Sequence, residues 1–163
     1  MSPIDNPKGT ALLKNALAAA AIGLTLSTGA APAAADPAAP ATVVLVHGAF
    51  ADGSAWNKVV PRLQAQGLKV VSVQNPLTSL GDDVAATRRV LDAQTGPVVL
   101  VGHSWGGVVI TEAGQHERVK SLVYVAAFAK AIGATVVSLP TSHVPQVSRP
   151  KEVADAIIAA AGR

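Results

Sequence analysis

The chain has 163 residues, half of them hydrophobic and 14% charged, with a net charge of +3. That is one domain's worth of globular sequence. It holds no cysteine, which excludes disulfides and thiolate chemistry, and no basic run interleaved with aromatics, which leaves nucleic-acid binding unsupported.

The first 35 residues read as a cleaved signal peptide. Lys8 and Lys14 give a positive start, Ala16 to Leu26 is apolar but too short to span a bilayer, and Ala33-Ala34-Ala35 has the small-residue form of a signal peptidase site. Cleavage would leave a domain over 36–163, with no stable membrane anchor and a periplasmic or secreted location. A disordered Ala/Pro linker or a poorly inserted membrane anchor is the alternative.

From Ala41 onward short β-branched runs alternate with amphipathic stretches. Thr42 to Val46 is continuously apolar, as in a strand buried on both faces. Trp56 to Gln66 has a helical stripe, with Pro61 expected to bend it and Gly67 to end it. Leu68 to Val73 predicts a second strand. Ser79 to Gln94 predicts a helix capped by Ser79, with Leu80, Val84, Thr87 and Leu91 on one face. Val98 to Val101 is a third strand, followed by a helix from Trp105 to Gln115. Leu122 to Val125 is a fourth strand and Ala134 to Leu139 a fifth. A last helix, Pro150 to Ala160, turns Val153, Ala154, Ile157 and Ile158 inward. Strand and helix in alternation predict an α/β fold, a mostly parallel sheet of about five strands covered on both faces. Ligands on such sheets bind at the carboxyl ends of the strands.

The chemistry is concentrated there. After the third strand the chain reads Gly102-His103-Ser104-Trp105-Gly106-Gly107, a G-x-S-x-G motif between strand and helix. A serine in so tight a turn projects its hydroxyl above the sheet, and only glycine at the flanking positions lets the backbone fold back on itself. Ser104 is therefore the candidate nucleophile. The Trp105 amide, at a helix N-terminus, is a candidate oxyanion donor. Acyl transfer needs a second donor. His47-Gly48-Ala49-Phe50, at the end of the first strand, can supply it from Ala49, with Phe50 as the alternative. A serine also needs a base. Of the four histidines, His47 belongs to the oxyanion turn, His103 sits inside the elbow, and His116 ends a polar helix. His143, in Thr141-Ser142-His143-Val144-Pro145, follows the last strand and is the candidate base.

The segments His47 to Trp56, Gly102 to Gly107 and Thr141 to Pro150 together resemble the α/β-hydrolase superfamily, and within it a group of small bacterial esterase-like members. The resemblance runs from Thr42 to about Phe128 and from about Lys130 to the end. It implies an α/β-hydrolase fold, a Ser-His-acid triad, a two-donor oxyanion hole, and neither a metal nor an organic cofactor. The chain departs from that pattern in one place. Such families carry a helical cap after the fourth strand and a further strand ending in the triad acid, yet here Phe128 leads almost directly to Ala131. An internal deletion near Ala129 is the simplest explanation.

No acidic residue follows the fourth strand before Glu152. Asp82, Asp83 and Asp92 read as solvated helix residues, Glu112 as a surface or core-edge residue and Asp52 as a helix cap, so none is assigned as the triad acid. Loss of the intervening strand predicts one of two outcomes. Either the last strand pairs with the fourth and carries His143 inward by about 4.8 Å, or it keeps its place beside an open slot whose apolar edge favours self-association. The expected function is hydrolysis of small-molecule carboxylic esters. A catalytically impaired remnant is the alternative, and a hydroxynitrile-lyase-like enzyme ranks last because its extra donors would come from the absent cap.

Overall fold

The computed structural model describes residues 41–127 and 139–162. The leader, the suspected deletion point and all of the expected fifth strand except Leu139 lie outside the described residues. Four strands form one parallel sheet: β1 (Thr42–Val46), β2 (Lys69–Val73), β3 (Val98–His103) and β4 (Val119–Val125), in the order β2-β1-β3-β4. The register aligns Val46 with Gly102 and His103 with Val125, so β1, β3 and β4 end at one level.

Parallel strands need crossovers, and these cover the two faces. Alternation along β1 and β3 sends Val43, Leu45, Val99 and Val101 to one face. They pack there with Trp56, Leu63, Val153 and Ile157. Val44, Val46, Val98 and Leu100 go to the other face and meet Val84, Leu91, Val109 and Ile110. The helices are α1 (Val60–Gln64), α2 (Leu80–Asp92), α3 (Trp105–Ala113), α4 (Pro145–Ser148) and α5 (Pro150–Ala160). Each fully buried Val, Leu or Ile in these clusters contributes about 1.5–3 kcal/mol.

Two local expectations are corrected. Pro61 does not bend a long helix. A 3₁₀ turn at Gly53–Trp56 ends first, and Pro61 sits in the first turn of the short α1, where its missing N–H leaves no bond unmade. Asp83 is not solvated but fully buried. Other local signals hold: Ser79 accepts from the Asp82 amide as the cap of α2, and Gly67 adopts φ +74° beyond α1.

Among the described residues β4 pairs on one side only, with β3. A cavity of about 670 Å3 lies beside it, bounded by Leu122, Val123 and Tyr124 of β4 and by Val153, Ala156 and Ala160 of α5.

Candidate active site

Ser104 stands between β3 and α3 with φ 49° and ψ −115°, a conformation strained for any residue bearing a Cβ. The turn is this sharp because two backbone crossings are very close. A Cβ on Gly102 would lie 2.4 Å from the Gly106 carbonyl oxygen, and one on Gly106 would lie 2.5 Å from the carbonyl oxygen of Val46. Glycine at both positions is a steric requirement. The Ser104 amide donates to the Val125 carbonyl at 3.0 Å, tying the elbow to the end of β4.

The loop after β1 abuts this elbow. A Cβ on Gly48 would fall 3.1 Å from Ser104 Cβ and 2.8 Å from His103 Nδ1. His47 is buried, and its ring is held by backbone on both sides. Nε2 accepts from the Asn75 amide at 3.0 Å, which puts the proton on Nδ1, 2.9 Å from the Gly48 carbonyl. Both nitrogens are therefore occupied. Ala49 and Phe50 follow as exposed residues, Phe50 with φ 60°. Trp105 is the first residue of α3, so its amide has no intrahelical acceptor.

His143 Nε2 lies 2.8 Å from Ser104 Oγ. The inward displacement expected if the last strand paired with the fourth would have broken that contact. The ring is exposed, and its backbone carbonyl accepts from His103 Nε2 at 2.8 Å. Burial holds the His103 imidazole below the ordinary histidine pKa. The bond to His143 opposes this shift, while the charges of His143 and His47 reinforce it.

Among the described residues no carboxylate bonds to His143, and the sequence has no Asp or Glu between Glu117 and Glu152. Six of the other acids are engaged elsewhere. Asp52 accepts from the Ser54 amide at 2.7 Å, and Ser54 lowers its pKa. Asp82 accepts from the hydroxyls of Thr78 and Ser79, which lower its pKa. Asp92 pairs with His116, Glu152 with Arg149 and Asp155 with Lys151. Asp83 accepts from the Trp105 indole N–H and from the Leu77 amide, each at 2.8 Å. Sequence reasoning missed this last residue. Its only local signal is a second acid in the first turn of α2, which reads equally well as a helix-dipole partner. No cluster of metal-ligating side chains occurs among the described residues.

Comparison with known proteins agrees with this fold. A model described as an alpha/beta hydrolase family matches residues 43–137, more than half of the chain. A carbendazim hydrolyzing esterase of Nocardioides sp. (strain SG-4G) is 31% identical over 123 residues, covering 66% of this chain and 51% of its own. A pyrethroid hydrolase of Sphingobium wenxiniae is 31% identical over 106 residues, covering 57% and 38%. Among solved structures, polyneuridine aldehyde esterase superposes with a TM-score of 0.51 at 27% identity, covering 55% of this chain and 41% of that one. A pyrethroid hydrolase from Sphingobium faniae JZ-2 gives 0.50 at 26%, covering 61% and 47%. The chain thus spans about half the length of the relatives it matches, or less.

Proposed function

Because the chain belongs to the alpha/beta hydrolase family, we propose that it hydrolyses carboxylic esters of small molecules through a Ser104 acyl-enzyme. The observation carrying this reading is the 2.8 Å contact between His143 Nε2 and the hydroxyl of the strained elbow serine. The esterases among its relatives support the reaction class.

In this mechanism Ser104 Oγ attacks the acyl carbon while His143 Nε2 takes its proton. The negative charge on the former carbonyl oxygen is met by the amides of Ala49 and Trp105. Collapse breaks the ester bond, and the alcohol leaves with the proton from His143. Water, deprotonated by the same imidazole, then attacks the acyl-enzyme; the Ser104 Oγ–acyl bond breaks, His143 returns the proton to Oγ, and the acid is released. Every step uses side chains and amides of this chain and needs no cofactor. On the same reading the leader directs the protein to the periplasm or beyond. N-terminal sequencing of protein from its native host tests this: a start at Asp36 is expected, and a start before residue 30 refutes it.

A second reading, a catalytically impaired remnant, is favoured by the lack, among the described residues, of a carboxylate on His143. One experiment separates the two. The protein is treated with a fluorophosphonate and its intact mass taken beside Ser104→Ala. A single adduct on the parent and none on the variant, with p-nitrophenyl ester turnover abolished by His143→Ala, is expected of the enzyme. A parent without adduct contains no activated serine, and the enzyme reading fails.

A further inference from the structure

His103 touches all three parts of the candidate site and has no role in the mechanism above. It ends β3, directly before Ser104, and is 4% exposed. Its Nδ1 faces Gly48 of the oxyanion loop. Its ring stands edge-on to buried Trp56, with centroids 6.5 Å apart. Its Nε2 lies 2.8 Å from the His143 carbonyl, and the two imidazoles are 5.2 Å apart.

A carbonyl can only accept, so His103 carries its proton on Nε2 and donates. Burial favours the neutral ring, which keeps Nδ1 unprotonated. The donor is rigid because the imidazole is packed between Trp56 and the Gly48 backbone. The acceptor belongs to an exposed loop residue whose ring has no carboxylate to orient it among the described residues.

Resting on the reading of Ser104 and His143 as nucleophile and base, we infer that His103 is the positioning residue for the base. It clamps the backbone of residue 143 to the strand that bears the nucleophile. In this chain that clamp does through the main chain part of what a triad acid does through the ring: it keeps the imidazole within reach of Oγ. The distance matters because a misplacement of about 1 Å at a reacting pair can cost on the order of 10²-fold in rate.

The test compares fluorophosphonate labelling rate and p-nitrophenyl acetate kinetics in the full-length parent and in variants at both histidines. His103→Leu and His103→Met remove the donor with two different shapes, so one misfolded protein does not end the test. His103→Gln restores an N–H near the Nε2 position. The donor-less variants should lose about 10²-fold in kcat with KM little changed, and H103Q should recover most of that loss. In a His143→Ala background, H103L should cost nothing further.

Parent-like kcat in H103L and H103M overturns the inference while Ser104 labelling stands. So does an H103L loss that persists undiminished in H143A, because the residue would then be supporting the elbow itself. If the parent does not label, the catalytic reading has failed separately. Crystal structures of H103L and H103Q then decide the clamp: His143 displaced from Ser104 in the first and retained in the second is expected, and retention in both overturns it.

Discussion

The buried carboxylate of Asp83 accepts a hydrogen bond from the indole of Trp105 across 2.8 Å, joining the start of α2 to the residue after the nucleophile. Its second oxygen accepts from the Leu77 amide, where the chain turns with φ 57°. A carboxylate is seldom fully buried unless paired, and two donors satisfy this one. The pairing holds the side chain of Trp105, the residue whose amide is proposed as an oxyanion donor.

Removing that carboxylate should leave two N–H groups without their partner. Asp83→Ala is expected to destabilise the fold by about 3 kcal/mol, the loss of hydrogen bonds to a charged acceptor. Trp105→Phe should cost less, and the two changes should be non-additive because they share one bond. Urea unfolding of the single and double variants measures this. Simple additivity would show that the bond contributes nothing.

Stability should fall in mild acid on account of His103. Its folded pKa lies below the ordinary 6.5 expected of the unfolded chain. Between those two values the unfolded state binds more protons, so stability rises with pH. The contribution is complete above 6.5 and is lost as pH falls from 6.5 through the folded value. Urea midpoints measured from pH 5 to 8 should show this slope in the parent and a shallower one in His103→Gln. Equal slopes would assign the effect to another group.

The elbow glycines should tolerate no methyl group. Gly102→Ala and Gly106→Ala each place Cβ about 2.5 Å from backbone atoms that have no room to retreat. Both should unfold the domain or abolish Ser104 labelling, with a cost above ~3 kcal/mol, beyond ordinary overpacking. Gly67→Ala is the control. Its Cβ meets nothing within 4 Å, and only its φ of +74° opposes the change, at about 1 kcal/mol. Thermal melts rank the three, and a Gly106→Ala protein as stable as Gly67→Ala would contradict the packing.

Turnover should be slow. Without a carboxylate to hold its tautomer, an imidazole base loses on the order of 10⁴-fold in kcat. The parent should fall about that far below a complete Ser-His-acid hydrolase assayed beside it on p-nitrophenyl acetate. A kcat within tenfold of that enzyme would mean that another group serves His143.

The sequence by itself determined whatever depends on contiguous residues: four apolar runs that became strands, the Ser79 cap, the Gly67 stop, and the elbow whose glycines announce a close backbone crossing. These follow from steric and hydrogen-bonding rules acting within a few residues. The tertiary structure alone decided which side chains meet. Asp83 read as a solvated helix residue because its partner Trp105 is 22 positions away, and nothing local marks a carboxylate for burial. His143 could be named as a candidate, but its 2.8 Å approach to Ser104 and its tie to His103 depend on how the sheet seats residues 39 and 40 positions apart. Parallel strands ordered β2-β1-β3-β4 bring the ends of β1, β3 and β4 to one rim, and that convergence is a property of the assembled sheet.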